Sequence, residues 1–228
     1  MNKIIIFCLM AYSVNVFSQA SIGKILFTVG QVTAKHGSQE RRLARGALFY
    51  VGDSIITGYN ARAQIKYDNG ALVSIEPNSH YQTLSYEPKD NLVIKSSLIR
   101  GEINYDSNNK AYKHNIITTP LVALAILGTQ LQLRVNHDSS YVKVTKGTVC
   151  VENLVKKKIQ KPCLGPKQPA LSGTFYRNGR FTSDTRGFND ITNDAVVEIN
   201  ETVAVVTTTN SVIQQLSEIA DILIVGIS

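Results

Sequence analysis

The sequence predicts a mainly β fold: an irregular β-solenoid or curved β-sandwich of short, glycine-punctuated strands, with a short C-terminal helical appendage. From Ile25 to about Phe181, apolar and polar residues alternate in short runs bounded by glycine and turn residues, the period of half-buried strands. Asn-Gly separates alternating runs at Asn69-Gly70 and again at Asn178-Gly179, a strong hairpin signal that calls for positive φ at both central residues. No helical period of useful length occurs before Gly187.

The elements follow in chain order. Ala63 to Tyr67 alternates, Asp68-Asn69-Gly70 turns, and Leu72 to Ile75 resumes. Further strands are expected at Leu92–Lys95, Glu102–Tyr105, Asn115–Thr118, Leu131–Val135 and Tyr141–Val144, and Phe175–Phe181 forms the second hairpin. Val142, Val144, Val149 and Val151 have the β-branched shape that packs on a pleated surface. Gly30, Gly70, Gly101, Gly128 and Gly147 each precede an apolar residue that opens a strand, so each reads as a break between strands. Asp53 and Asp68 sit at glycine-flanked turns and read as turn stabilisers. Beyond Gly187, Val196, Ile199, Val203 and Val206 recur at helical spacing, as do Leu216, Ile219 and Leu223 after Ser211-Val212-Ile213-Gln214. The β-branched run Thr202–Thr209 suits a strand equally well.

Residues 1–20 read as a cleaved secretory signal. Lys3 supplies the positive start, Ile4–Ala11 the apolar run, and Ser18 and Ala20 the small residues at a cut. The run is well short of the roughly 20 residues that span a bilayer. The expected organisation is a β-domain at 21–187 and an acidic tail at 188–228, in an exported chain found in the periplasm or secreted. Removing the signal takes away Cys8 and leaves Cys150 and Cys163, a disulfide candidate in an oxidising compartment. Two unpaired buried thiols are the competing reading; the strand-like flanks of Cys150 and turn-like flanks of Cys163 favour the bond.

Composition excludes several chemistries. With three Cys, four scattered His and no Trp, zinc-ribbon and haem-attachment spacings are absent. No nucleophile elbow, phosphate loop or dinucleotide fingerprint occurs, so no catalytic residue, metal or cofactor is expected. The formal charge is +7. Setting aside Lys3 and the tail's −6 leaves +12 on the body, a balance that suits contact between tail and body or with the envelope. Arg41-Arg42-Leu43-Ala44-Arg45 reads as a solvated loop. Lys156, Lys157 and Lys158 read either as a solvated loop or as a contact for acidic polymers; no aromatic interleaves with them, so nucleic acid is not expected.

Gly52-Asp53, Gly58, Asp68, Gly70, the Gly101-Glu102-Ile103 strand, Thr119-Pro120, Gly128-Thr129 and Gly147-Thr148-Val149 together resemble the FecR domain over about residues 24–152. The resemblance implies an extracytoplasmic β-domain without enzymatic activity. In the family's regulators that domain relays a signal from an outer-membrane transporter to a sigma factor. Those regulators carry a sigma-binding segment and a membrane helix ahead of the domain, whereas a cleavable signal precedes it here. The expectation is therefore a binding, relay or scaffold module whose partner is an envelope protein. An adhesive protein holding acidic polysaccharide through its basic loops is the alternative.

Overall fold

The computed structural model describes residues 19–87, 93–108, 114–167 and 171–184, and every regular element among them is a strand. In order these are β1 (Gly23–Val29), β2 (Val32–His36), β3 (Gln39–Arg42), β4 (Leu48–Phe49), β5 (Ser54–Thr57), β6 (Arg62–Tyr67), β7 (Leu72–Ile75) and β8 (His80–Glu87). They continue as β9 (Val93–Asp106), β10 (His114–Thr118), β11 (Val122–Val135), β12 (Ser139–Asn153), β13 (Lys158–Leu164), β14 (Ser172–Tyr176) and β15 (Phe181–Asp184).

Among these strands only β9 and β10 pair in parallel; all other pairings are antiparallel. A solenoid, whose successive coils pair in parallel, is therefore not what forms. β9 pairs with β10, β10 with β11, and β11 with β9 again, a barrel-like closure extended by further strands. The expected helical appendage at 188–228 and residues 1–18 of the expected signal lie outside the described residues.

The second departure concerns strand length. β9, β11 and β12 run 14, 14 and 15 residues, although Gly101, Gly128 and Gly147 read in the sequence as breaks between strands. Gly101, Gly128 and Gly147 lie inside them at φ 89°, 55° and 79°. Core-facing side chains step from Leu98 to Ile103, from Ile126 to Leu131 and from Val144 to Val149. Each step is five residues, where a period of two gives four or six. A single extra residue in the left-handed region turns the strand and switches its phase, so both halves face one core.

Both Asn-Gly hairpins form, but with one left-handed residue instead of two. Gly70 and Gly179 have φ 99° and 79°, and neither Asn69 nor Asn178 has positive φ. Gly70 N donates to Tyr67 O at 2.9 Å and Gly179 N to Tyr176 O at 2.8 Å. Each Asn Oδ1 accepts from the backbone N–H two residues on, Ala71 and Arg180, at 2.9 Å. The side chain supplies the acceptor that fixes a three-residue loop with Gly in the left-handed position.

The core holds a polar knot. Tyr67 and Tyr81 are fully buried, and the Tyr67 hydroxyl bonds Tyr81 Oη at 2.8 Å and Thr83 Oγ1 at 2.7 Å. Burial pushes the Tyr67 phenol well above its ordinary value and that of Tyr81 up to about 12. Tyr67→Phe leaves two buried hydroxyls short of a partner, and a loss of about 1–3 kcal/mol is expected in urea unfolding.

A smaller apolar cluster of Ile116, Ala123 and Ala125, with Leu154 against it, stands apart from the main core. In register with Ala123 lies Glu152, 4% exposed, whose Oε2 has no hydrogen-bond partner among the described residues. Burial pushes its carboxyl pKa up, so the folded chain holds that proton more tightly than the unfolded chain. Stability from this group is therefore present in acid and is lost as pH rises through the ordinary carboxylate range to the raised value. Glu152→Gln should raise Tm at pH 7 and leave it unchanged at pH 4.

Candidate functional site

At the bend of β9, three segments distant in sequence are tied by buried hydroxyls. Ser79, fully buried, accepts from Glu102 N at 2.9 Å and donates to Glu102 O at 3.1 Å. Thr57 Oγ1 accepts from Ser79 N at 2.9 Å and donates to Glu76 O at 2.7 Å. Gly101 lies directly over Ser79, so the backbone there has room for a hydrogen and nothing larger.

This junction floors a polar groove of about 360 Å³ lined by Arg62, Glu76, Pro77, Gly101, Glu102, Arg134 and Asn136. Register sets its charges as a cross-strand ladder: Arg62 Nε meets Glu76 Oε2 at 2.8 Å, and Arg134 Nε meets Glu102 Oε2 at 2.7 Å. Gln132 Nε2 donates to Glu102 Oε1 at 2.7 Å, and Asn104 Nδ2 to Glu76 Oε1 at 3.4 Å. Cations and carboxylates face each other in pairs, so the groove presents polar contacts and little net field. No trio of metal-ligating side chains gathers among the described residues.

Gly101, Gly128 and Gly147 are the bends of β9, β11 and β12. Gly52 (φ 87°) turns into β5, its N–H donating to Thr83 O at 2.7 Å, and Gly58 N donates to Gln31 O at 3.0 Å. Asp68 is exposed in the β6–β7 turn with Gly70. Thr119 Oγ1 accepts from Leu121 N and Val122 N at 3.1 and 3.0 Å and lies 2.9 Å from Ser140 Oγ, which fixes the turn at Pro120. Thr129 Oγ1 donates to Thr148 O at 3.2 Å. These positions hold the bends; only Gly101 also lines the groove.

Asp53 does more than stabilise its turn. Its side chain is 1% exposed, and it accepts from Tyr50 N at 2.9 Å, from His36 Nδ1 at 3.0 Å, and from the Arg41 guanidinium. Arg41, which the sequence places in a solvated basic run, instead reaches back across the β2–β3 hairpin to this carboxylate. Cys150 and Cys163 form the expected disulfide between β12 and β13. Lys156, Lys157 and Lys158 are exposed around the β12–β13 turn.

Sequence reading misses the groove. Its pairs are 14 and 32 residues apart, and the alternating polar residues of β6 and β11 are the only local trace of it. It also misses exposed apolar side chains along β1 and β4: Phe27, Val29 and Leu48 are 42, 55 and 47% exposed.

Residues 53–150 match the family model described as FecR protein. Two crystal structures of a candidate anti-sigma factor from Parabacteroides distasonis are similar to this chain at 16% identity, with a TM-score of 0.48. Each match covers 57% of this chain and 58% of that one, so the likeness spans little more than half of the neighbour's length. No curated protein matches.

Proposed function

We propose that this chain, which carries a FecR domain at residues 53–150, is an exported, non-enzymatic module of the cell envelope that relays or scaffolds by binding a protein partner. The observation that carries the binding reading is the margin of β1. Among the described residues β1 pairs with β4 at Gly23 and Lys24 alone, and Ile25 is held by Ala47 O and Gly46 N at 2.8 and 2.9 Å. From Leu26 to Val29 no described strand pairs on that side. Phe27 and Val29 share the outer face with Gln64 and Arg62, across from them on β6, and Leu48 is on the same margin opposite Lys24. An open edge with apolar side chains along it suits addition of an extended segment from another protein, main chain to main chain, with alternate apolar residues over Phe27 and Val29. Export is supported by the signal-like residues 1–20 and by a disulfide that an oxidising compartment maintains.

Recovery of native complexes from the host envelope tests this reading. The Phe27→Ser, Val29→Ser double variant should keep its stability to within about 1 kcal/mol, since exposed substitutions cost little, yet lose its co-purifying protein. Retention of that protein by the double variant contradicts the assignment of the edge. Mass measurement of the envelope-derived chain should show cleavage after Ser18 or Ala20.

A further inference from the structure

The β12–β13 and β14–β15 turns, separated in sequence by β13 and β14, lie against each other. Asn153, 6% exposed, joins them: its Oδ1 accepts from Val155 N and Lys156 N at 3.0 and 3.1 Å, while its Nδ2 donates to Gly179 O at 3.4 Å. The stem of Lys156 lies over Gly179, where an added Cβ would fall 2.8 Å from Lys156 Cγ. The two turns, residues 154–158 and 176–180, bring together Lys156, Lys157, Lys158, Arg177 and Arg180, all exposed, and contain no carboxylate.

We infer that this joined pair of turns is a binding surface for an extended, carboxylate-bearing polysaccharide. Arg177 is held by Asp138 Oδ1 at 3.3 Å and His137 O at 2.6 Å, so it is positioned. Arg180 covers the Tyr176 ring at 4.8 Å, which closes that ring face to a nucleobase while a stacked guanidinium keeps its N–H edge for a carboxylate. Three lysines in succession offer separate point charges, which suit the repeated carboxylates of a linear acidic polysaccharide. Val155 is the one large apolar side chain exposed on these two turns, too little to insert into a bilayer.

The test is titration of the full chain with polygalacturonate at low and high salt, with dextran as the uncharged control and a single-stranded oligonucleotide as the rival polyanion. Binding of polygalacturonate, weakening with salt, is expected, with dextran inert and the oligonucleotide weaker. Lys156→Gln with Lys158→Gln should weaken binding about tenfold and Arg180→Gln about threefold, whereas Lys24→Gln with Lys66→Gln, cations on β1 and β6, should change nothing. Asn153→Ala, with net charge unchanged and folding checked by circular dichroism, should weaken binding by parting the turns. Equal losses from the β1 and β6 lysines, preference for the oligonucleotide, or no binding by the full chain would overturn the inference.

Discussion

Gly101→Ala is expected to cost at least about 3 kcal/mol of folding stability, read as a large fall in the urea midpoint. Two effects add. Gly101 has φ 89°, where a side chain is strained by about 1–2 kcal/mol. A Cβ there would also lie 2.5 Å from Ser79 Cα and 2.7 Å from Ser79 Cβ, against a buried backbone that is tied to Glu102 and cannot withdraw. Gly128 is the internal control: its φ is 55°, but nothing lies within 4 Å of an added Cβ. Gly128→Ala should therefore cost only the conformational term of about 1 kcal/mol. Equal losses at the two positions would show that the approach of Ser79 to the β9 bend does not decide stability.

Removal of the disulfide is the second large effect. The Cys150–Cys163 bond has a sequence separation of 13, and closing a loop of that size removes about 3 kcal/mol of unfolded-chain entropy. The Cys150→Ala, Cys163→Ala double variant should lose that amount. Cys150 is 2% exposed but Cys163 is only half-buried, so a thiol reductant should reach the bond from the Cys163 side. An unchanged midpoint in the double variant would mean that the bond contributes nothing to stability.

What could be read in advance follows the range of the interactions. The two hairpins are legible because Asn-Gly carries its turn chemistry locally, and β10 is predicted to within one residue of His114–Thr118 because its alternation ends at Thr119-Pro120. The glycines of β9, β11 and β12 mislead for the opposite reason. A left-handed glycine looks the same in sequence whether it ends a strand or bends one, and only the neighbouring strand's register separates the cases. The five-residue steps, such as Val144 to Val149, are visible in the sequence but acquire meaning only when both halves share a core. Arg41 reads as a solvent-facing charge because its carboxylate, Asp53, arrives from the turn ahead of β5. Phe27 and Val29 look like core residues by alternation with Ile25, but the register shift between Ile25 and Phe27 in the β1–β6 pairing sets them on the outer face with Gln64 and Arg62.

On the proposed reading, a partner protein docks along the open side of β1. Photo-crosslinking in the native host tests it most directly, with a benzophenone side chain placed at Phe27 or, as the control, at Leu84, which is 36% exposed on β8. A discrete adduct with one protein from position 27 and none from position 84 is the predicted result. No adduct from position 27, or the same adducts from both positions, would contradict it.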